Sequence, residues 1–339
     1  MKLLVVRLSA FGDIIHALPA LEDLLARPDV QVHWLVDERY RFVTEVFPSA
    51  VHVHAVALKG KHPLRDAMRV VRELRRYHFD AVLDFQGLIK SALLARAANS
   101  VVYGLDEQFV RERPAAWLER SVPFAEQERH VVQQNRKVAL APFASSLDDL
   151  PVMSYEPPRL RKEVLASMRV PLACESSLED WGNYIVLHAA GGWETKRLPD
   201  ATWIEVARGI QSTGKRAVFS WGNVQECRRA STLAQQSHAL CLPERLNMSA
   251  LCRLLQKADA VVGADTGVLH LAAAMECTTV MFWGPSASWR SGPFGPRQWH
   301  VESNPPCGPC FRRKCGHFVC MDQIRASAIL EALHESGAI

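Results

Sequence analysis

Two runs of alternating strand-like and helix-like segments, separated by a stretch rich in Pro, Ser and Asp, constrain this chain more than any other feature. In the first run KLLVVRL, VQVHWLV and DAVLDFQG read as short buried strands. ALEDLLARP, RDAMRVVRELRRY and LIKSALLARAA read as helices. Such alternation predicts a parallel sheet with helices on both faces. The segment from about 141 to 172 breaks the pattern and fits the loop-rich end of a first domain running into a linker. A second run then begins: NYIVLHA and KRAVFSWG as strands with DATWIEVARGIQST between them, ADAVVGAD as a strand before GVLHLAAAM, and TTVMFWGPS as a strand and turn. A length of 339 residues suits two such α/β domains, placed at 1–172 and 173–339. Ligands of open α/β sheets bind beyond the carboxyl ends of the strands, so chemistry is expected in the turns there.

Composition narrows the class. A hydrophobic content of 48% with 22% charged residues describes an ordinary globular protein. The apolar runs are too short to span a membrane, and Arg7 and Asp13 interrupt the opening stretch where a signal peptide would be continuous. The expected location is cytoplasmic. A formal charge of +4 is too small to argue for nucleic acid, which is not an expected partner. Its distribution says more. Lys59, Lys61, Arg65, Arg69, Arg72, Arg75 and Arg76 face only Asp66 and Glu73, and Arg65, Arg69, Arg72 and Arg76 follow helical steps. This is either a solvated helix face or a surface for an anionic partner, whether a phosphorylated substrate or an acidic membrane.

The turns carry the candidate chemistry. In VVGADTGVLHLAAAM a buried strand ends at Gly263, and Asp265, Thr266 and Gly267 open a helix with His270 in its first turns. Free backbone N–H groups, the helix dipole and the Thr266 hydroxyl make a plausible diphosphate cradle; the plainer alternative is an N-cap beside a core histidine. Lys196 and Arg197, after the strand of LHAAGGWETKRLPDATW, could neutralise a diphosphate leaving group without a metal. Glu226, after the strand of KRAVFSWG, could accept hydrogen bonds from the hydroxyls of a ribose or sugar.

The opening turn, RLSAFGDIIHALPAL, has one glycine and puts Asp13 where a dinucleotide-binding loop would have G-x-G-x-x-G, which argues against a dehydrogenase. Asp13 either caps the helix, a role Asn would fill at little cost in stability, or faces an acceptor. If it faces an acceptor, the helix terminus should hold its pKa low and leave it a weak resting base that takes a proton late. Gln86 and Lys90 in DFQGLIKSALLAR form a polar rim suited to an anionic acceptor. Arg111 and Arg113 in GLDEQFVRERPAAW, with Lys61 and Arg65 of the basic stretch, extend the acceptor-side set.

RLSAFGDIIHALPAL, FQGLIKSA, GLDEQFVRE, the segment Lys196-Arg197-Leu198-Pro199 and GADTGVLHLAAA together resemble the ADP-heptose:lipopolysaccharide heptosyltransferases of glycosyltransferase family 9, most closely the heptosyltransferase I branch. The likeness runs in order over nearly the whole chain. It implies a GT-B fold, two facing Rossmann-like domains with a central cleft, the N-terminal one holding the acceptor and the C-terminal one ADP-heptose. The resemblance puts the family's catalytic base on Asp13, its donor-phosphate lysine on Lys196, its acidic donor contact on Glu226 and its diphosphate element on Asp265, Thr266, Gly267 and His270. The implied reaction carries heptose with inversion from ADP-L-glycero-D-manno-heptose to a 3-deoxy-manno-octulosonic acid of the lipid A inner core, with no cofactor required for catalysis. Such an acceptor is polyanionic and membrane-anchored, which fits the basic stretch and a peripheral site on the cytoplasmic face of the inner membrane. Related alternatives are transfer to an already heptosylated core or to a protein; a different class is a non-catalytic nucleotide-sugar-binding module.

The tail departs from that branch. CGPCFRRKCGHFVC supplies Cys307, Cys310, Cys315 and Cys320, a set that could hold a structural zinc or iron, stay as free thiols, or form one or two disulfides. Nine cysteines in all, an odd number, argue against a disulfide scaffold.

Overall fold

The computed structural model describes residues 1–168 and 181–339. Contacts divide the chain into two compact units, Met1–Val164 and Leu165–Ile339. The boundary expected at 172–173 lies outside the described residues. Much of the Pro-rich segment before it belongs to unit 1: Glu128 Oε1 accepts the Met153 N–H at 2.8 Å, and Arg161 donates to Glu22 at 2.6 Å.

Unit 1 is a parallel sheet of β1 (Lys2–Val6), β2 (Gln31–Asp37), β3 (His52–Val56), β4 (Ala81–Asp84), β5 (Val101–Leu105) and β6 (Arg120–Val122), in the order β3-β2-β1-β4-β5-β6. The central strands are apolar on both faces because helices cover both. After α1 (Phe11–Ile15), helix α2 (Leu18–Leu25) packs with α5 (Val131–Leu140). Helices α3 (Pro63–Arg75) and α4 (Ile89–Ala97) pack together and close a core of Leu4, Val6, Val70, Leu74, Val82 and Leu94. A further helix, α6 (Lys162–Ser167), follows at the division between the units.

Unit 2 repeats the plan with β7 (Tyr184–His188), β8 (Arg216–Phe219), β9 (Leu240–Cys241), β10 (Ala260–Ala264), β11 (Thr279–Trp283) and β12 (Gln298–Glu302), in the order β12-β11-β10-β7-β8-β9. Its helices are α7 (Asp200–Ser212), α8 (Val224–Ser237), α9 (Met248–Lys257), α10 (Gly267–Ala274), α11 (Ser288–Ser291) and α12 (Ala326–Glu335). Trp203 of α7 anchors the core, with its ring centroid 5.6 Å from that of Phe282 and 6.1 Å from that of Phe219. Both units therefore have the Rossmann order, counted from the first strand of each. In both, the order reverses beside that first strand, between β1 and β4 and between β7 and β10. Topology marks those two places as the ligand sites. No helix among the described residues is long and apolar enough to cross a membrane.

Candidate active site

In unit 1 the switch point brings together the turns after β1 and β4. The Gln86 side chain ties them, its Oε1 accepting the Ser9 N–H at 3.0 Å. Gly87 makes the second turn possible: its φ is +63°, and a Cβ there would lie 3.2 Å from the Val110 backbone. The approaching loop is held in turn by the Gly87 carbonyl, which accepts the Arg111 N–H at 3.1 Å. Arg111 thereby reaches Asp13, which sits in the first turn of α1. Asp13 Oδ1 lies 3.0 Å from Arg7 Nη2, its Oδ2 3.6 Å from Arg111 Nη2, and Oδ2 also accepts the Ala10 N–H at 3.1 Å. Arg7 is itself buried and donates to the Phe85 carbonyl.

Burial on its own would push the Asp13 carboxyl up. The Arg7 and then the Arg111 guanidinium groups, with help from His16 and the Ala10 N–H, hold it well below the usual carboxylate range. The low pKa expected of Asp13 is thus present, but its cause differs. Two arginines set it, not the end of a five-residue helix. Gln86, Arg111 and Asp13 come together; Lys61, Arg65, Lys90 and Arg113 are exposed, and their side chains enter no ion pair among the described residues.

In unit 2 the switch point joins the turns after β7 and β10. Lys196 Nζ donates to Asp265 Oδ2 at 2.5 Å and to the Asp265 carbonyl at 3.0 Å. His270 Nε2 meets the other carboxylate oxygen at 2.8 Å. Burial would raise the Asp265 pKa, but the Lys196 ammonium and the His270 imidazole hold it well below the ordinary range. Gly263 lets this turn close: a Cβ there would come within 2.5 Å of the Leu269 side chain of α10. Asp265 is therefore not the helix cap. Thr266 occupies that position, yet its side chain makes no cap hydrogen bond. Its Oγ1 is buried with no hydrogen-bond partner among the described residues. The same is true of Ser286 Oγ in the turn after β11, the strand beside β10. An unsatisfied hydroxyl at the open N–H end of α10, a fixed ammonium on the preceding Asp265 and a second unsatisfied hydroxyl in the turn of the neighbouring strand are donors of the kind that can hold a polyanion.

Glu226 lies at the start of α8 after β8, as expected, but one oxygen is engaged locally, accepting the Gly222 N–H at 2.8 Å. Arg197 is exposed, next to but outside the Lys196–Asp265–His270 group. Residues that sequence reading passed over are Arg7, Ser286 and Trp193, whose ring lies 4.3 Å from Lys196 Nζ. Arg7 had one signal, a charge at the end of an apolar strand.

Of the three states open to the cysteine-rich tail, the described residues show free thiols. Among the described residues no group of three or more His, Cys, Asp or Glu side chains converges to hold a metal. Cys307 and Cys315 are exposed, while Cys320 is buried in the unit 2 core, its Sγ pressed against Gly284. That geometry does not fit the tetrahedral zinc or iron set, and all the described cysteines are free thiols. The tail instead braces the site. The Arg312 carbonyl accepts the Thr195 hydroxyl at 2.7 Å, Arg313 lies 5.4 Å from the Trp193 ring centroid, and the Phe311 N–H donates to the Pro285 carbonyl at 2.7 Å. Both the Lys196 turn and the Ser286 turn are tied to it.

Comparison with known proteins bears on these features. The family profile described as glycosyltransferase family 9 (heptosyltransferase) matches residues 67–318. The lipopolysaccharide heptosyltransferase 1 of Pseudomonas aeruginosa is 32% identical over 325 residues, 93% of this chain and 87% of that protein. The Salmonella typhimurium protein of the same name is 30% identical over 309 residues, covering 88% of this chain and 93% of its own length. The structure of the Escherichia coli heptosyltransferase WaaC with ADP superposes with a TM-score of 0.77 at 26% identity, covering 99% of this chain and all of that one. With two Rossmann units and this likeness along nearly its whole length, the chain belongs to glycosyltransferase family 9, the heptosyltransferases, and has a GT-B fold.

Proposed function

We propose that this enzyme transfers heptose from ADP-L-glycero-D-manno-heptose, with inversion, to a 3-deoxy-manno-octulosonic acid residue of the lipopolysaccharide inner core. The observation that carries the reading is the Lys196–Asp265–His270 group beside the unsatisfied Thr266 and Ser286 hydroxyls at the mouth of α10. An ammonium has three donors, and Asp265 takes two of them. The third remains for a phosphate oxygen, so Lys196 can accept a diphosphate without leaving its partner. The two hydroxyls and the first N–H groups of α10 supply further donors to the departing ADP.

Unit 1 supplies the acceptor side. As the acceptor oxygen bonds to the anomeric carbon, the bond from that carbon to the ADP phosphate oxygen breaks, and the electron pair leaves with ADP. The acceptor proton passes to Asp13. At rest the two arginines make Asp13 a poor base. Arg111 comes from an exposed loop and is the weaker partner, at 3.6 Å against 3.0 Å for Arg7. An acceptor carboxylate that draws Arg111 away raises the basicity of Asp13 as the acceptor seats. The base is then strengthened by the substrate it serves. Gln86, Lys61, Arg65, Lys90 and Arg113 are the acceptor-side groups in this reading, and Arg197 and Glu226 the outer donor contacts. The likeness to lipopolysaccharide heptosyltransferase 1 proteins supports the choice of donor and acceptor.

The test is incubation of the chain with ADP-heptose and lipid A carrying 3-deoxy-manno-octulosonic acid, with the product identified by mass. The expected result is the addition of one heptose to that acceptor. Bound donor with no product, or product formed only on a heptosylated core or a protein, would contradict the assignment.

A further inference from the structure

Strand β7 stands between β10 and β8, and its last residue is His188. The side chains of Ile185 and Leu187 enter the core around Trp203, so alternation puts His188 on the opposite face, with Tyr184 and Val186. Helices α9 and α10 cover that face. The Tyr184 hydroxyl donates to the Leu254 carbonyl of α9 at 2.7 Å, and Leu269 of α10 fills the place where a Gly263 side chain would be. In register His188 pairs with Gly263 on one side, and on the other it adjoins Ser220, because Leu187 pairs with Phe219. His188 and Ser220 are therefore neighbouring polar residues at two strand ends, and they are only 7% and 3% exposed.

His188 Nδ1 and Ser220 Oγ lie 2.9 Å apart, and neither side chain has another hydrogen-bond partner among the described residues. Burial pushes the imidazole pKa down to about 4, so near neutral pH the ring is uncharged and one nitrogen alone carries a proton. Two seats are open to that proton. On Nδ1 it would point at Ser220 and leave both the serine proton and the Nε2 lone pair unpaired. On Nε2 it lets the Ser220 hydroxyl donate to Nδ1, and a single group stays open: an N–H on the far side of the ring. The second arrangement leaves fewer buried polar atoms unsatisfied. The open N–H belongs to the end of the middle strand, flanked by the turns of β10 and β8. The Lys196 and Thr266 donors lie after β7 and β10, and Glu226 lies after β8. A nucleotide with its diphosphate at the first two and its ribose at the third crosses the end of β7. We propose that His188 contacts the donor there, its Nε2–H donating to an oxygen of the ADP moiety, and that Ser220 is a positioning residue that fixes the ring and its tautomer. The inference rests on the proposed donor and adds a neutral contact to the cationic one. An uncharged contact to ADP serves ground state and transition state alike, so it acts on affinity rather than on turnover.

The experiment is calorimetric titration of the full chain with ADP, for wild type, His188→Phe, His188→Gln and Ser220→Ala, with thermal unfolding of each measured beside it. His188→Phe keeps the bulk of the ring and loses the N–H. Its Kd for ADP should rise about 5- to 10-fold, the effect of one neutral hydrogen bond, and KM for ADP-heptose should rise in step while kcat stays within about twofold. His188→Gln carries a side-chain N–H that can take the place of Nε2, and it should recover most of the loss. A ring that served packing alone would give no such rescue. Ser220→Ala should raise Kd by about two- to threefold, since the ring stays but its tautomer is no longer fixed. In wild type with isotope-labelled histidine, the His188 signals, assigned by their absence from His188→Gln, should report the Nε2–H tautomer and shift when ADP is added. That spectrum carries the test if His188→Phe folds poorly. An Nδ1–H tautomer, His188 signals that ADP leaves unmoved, or a folded His188→Phe protein with wild-type affinity for ADP would overturn the inference. A wild type that binds no ADP at all would overturn the donor reading itself, and the inference with it.

Discussion

Lys196 is held in place by the buried Asp265 before any ligand arrives, so its loss should be felt in the transition state and also in stability, because Asp265 is left with His270 alone. Replacing it with Ala removes the cation proposed to meet the departing diphosphate. Loss of one such partner costs about 2–4 kcal/mol, or roughly 30- to 1000-fold in kcat/KM. Steady-state kinetics with ADP-heptose would check this, and an unchanged kcat/KM would remove Lys196 from the site. Ser286 should behave as a smaller version of the same case. Ser286→Ala leaves no unsatisfied hydroxyl behind, so it should not destabilise the protein, yet it should raise KM for the donor several-fold, near the value of one neutral hydrogen bond of about 1 kcal/mol. Thermal unfolding measured beside KM separates the two effects. At this scale the sequence is readable where a residue's meaning lies in its own turn. Lys196, Asp265, Thr266 and His270 each follow a strand end and could be singled out. Arg7 and Ser286 are harder to single out: the charge of Arg7 at a strand end does not reveal its bond to the distant Phe85 carbonyl, and nothing local announces that the Ser286 hydroxyl is buried without a partner.

Strands β4 and β6 set Asp84 and Glu119 together in the interior of unit 1. Asp84 Oδ2 and both Glu119 oxygens are buried with no hydrogen-bond partner among the described residues, which a proton shared between the two carboxyls would satisfy. Burial, and for Glu119 the charge of Asp84, pushes both pKa values up. A carboxyl whose folded pKa is raised keeps its proton while the unfolded chain loses it. Its contribution is whole below the unfolded carboxyl range and is lost as pH rises towards the folded value. Stability of the wild type should therefore decline from mildly acid to alkaline pH, and Glu119→Gln should flatten that slope and raise stability at neutral pH. Urea unfolding at several pH values would show it; parallel slopes for the two proteins would exclude the shared proton. The central elements were legible because β1, β2, β4, β7 and β10 are continuous apolar runs. Strand β3 escaped because His52 and His54 interrupt it. His54 is nevertheless buried, bonded to His33 at 2.9 Å and Glu73 at 2.8 Å, a satisfaction no local pattern announces. The two-residue β9 and three-residue β6 are too short to show any period. Four thiols in close succession leave metal, free thiols and disulfides open, because spacing alone does not say whether the side chains converge; that the tail backbone braces the donor turns has no local signal.

Across the whole molecule the chemistry is divided in the proposed reaction, with the donor grip in unit 2 and the base in unit 1. If Lys196 and the mouth of α10 carry the leaving-group charge, turnover should survive chelation of free divalent ions; loss of activity that magnesium alone restores would contradict this. The division also makes the two units separable by mutation. Read as a cap, Asp13 would tolerate Asn with little effect on stability, but its partner Arg7 is buried and the pair spans 3.0 Å. Asp13→Asn should therefore cost about 1–3 kcal/mol of stability, since the amide keeps an oxygen for Arg7 but loses the charge. The fold should persist at 25 °C. The decisive measurement is single-turnover transfer by Asp13→Asn, on a preparation whose folding and ADP-heptose affinity are determined in parallel. Donor affinity should stay close to wild type while transfer falls by roughly 10²–10⁴, the usual contribution of a positioned general base. Transfer near the wild-type rate from a folded, donor-binding Asp13→Asn protein would contradict the assignment of the base to unit 1.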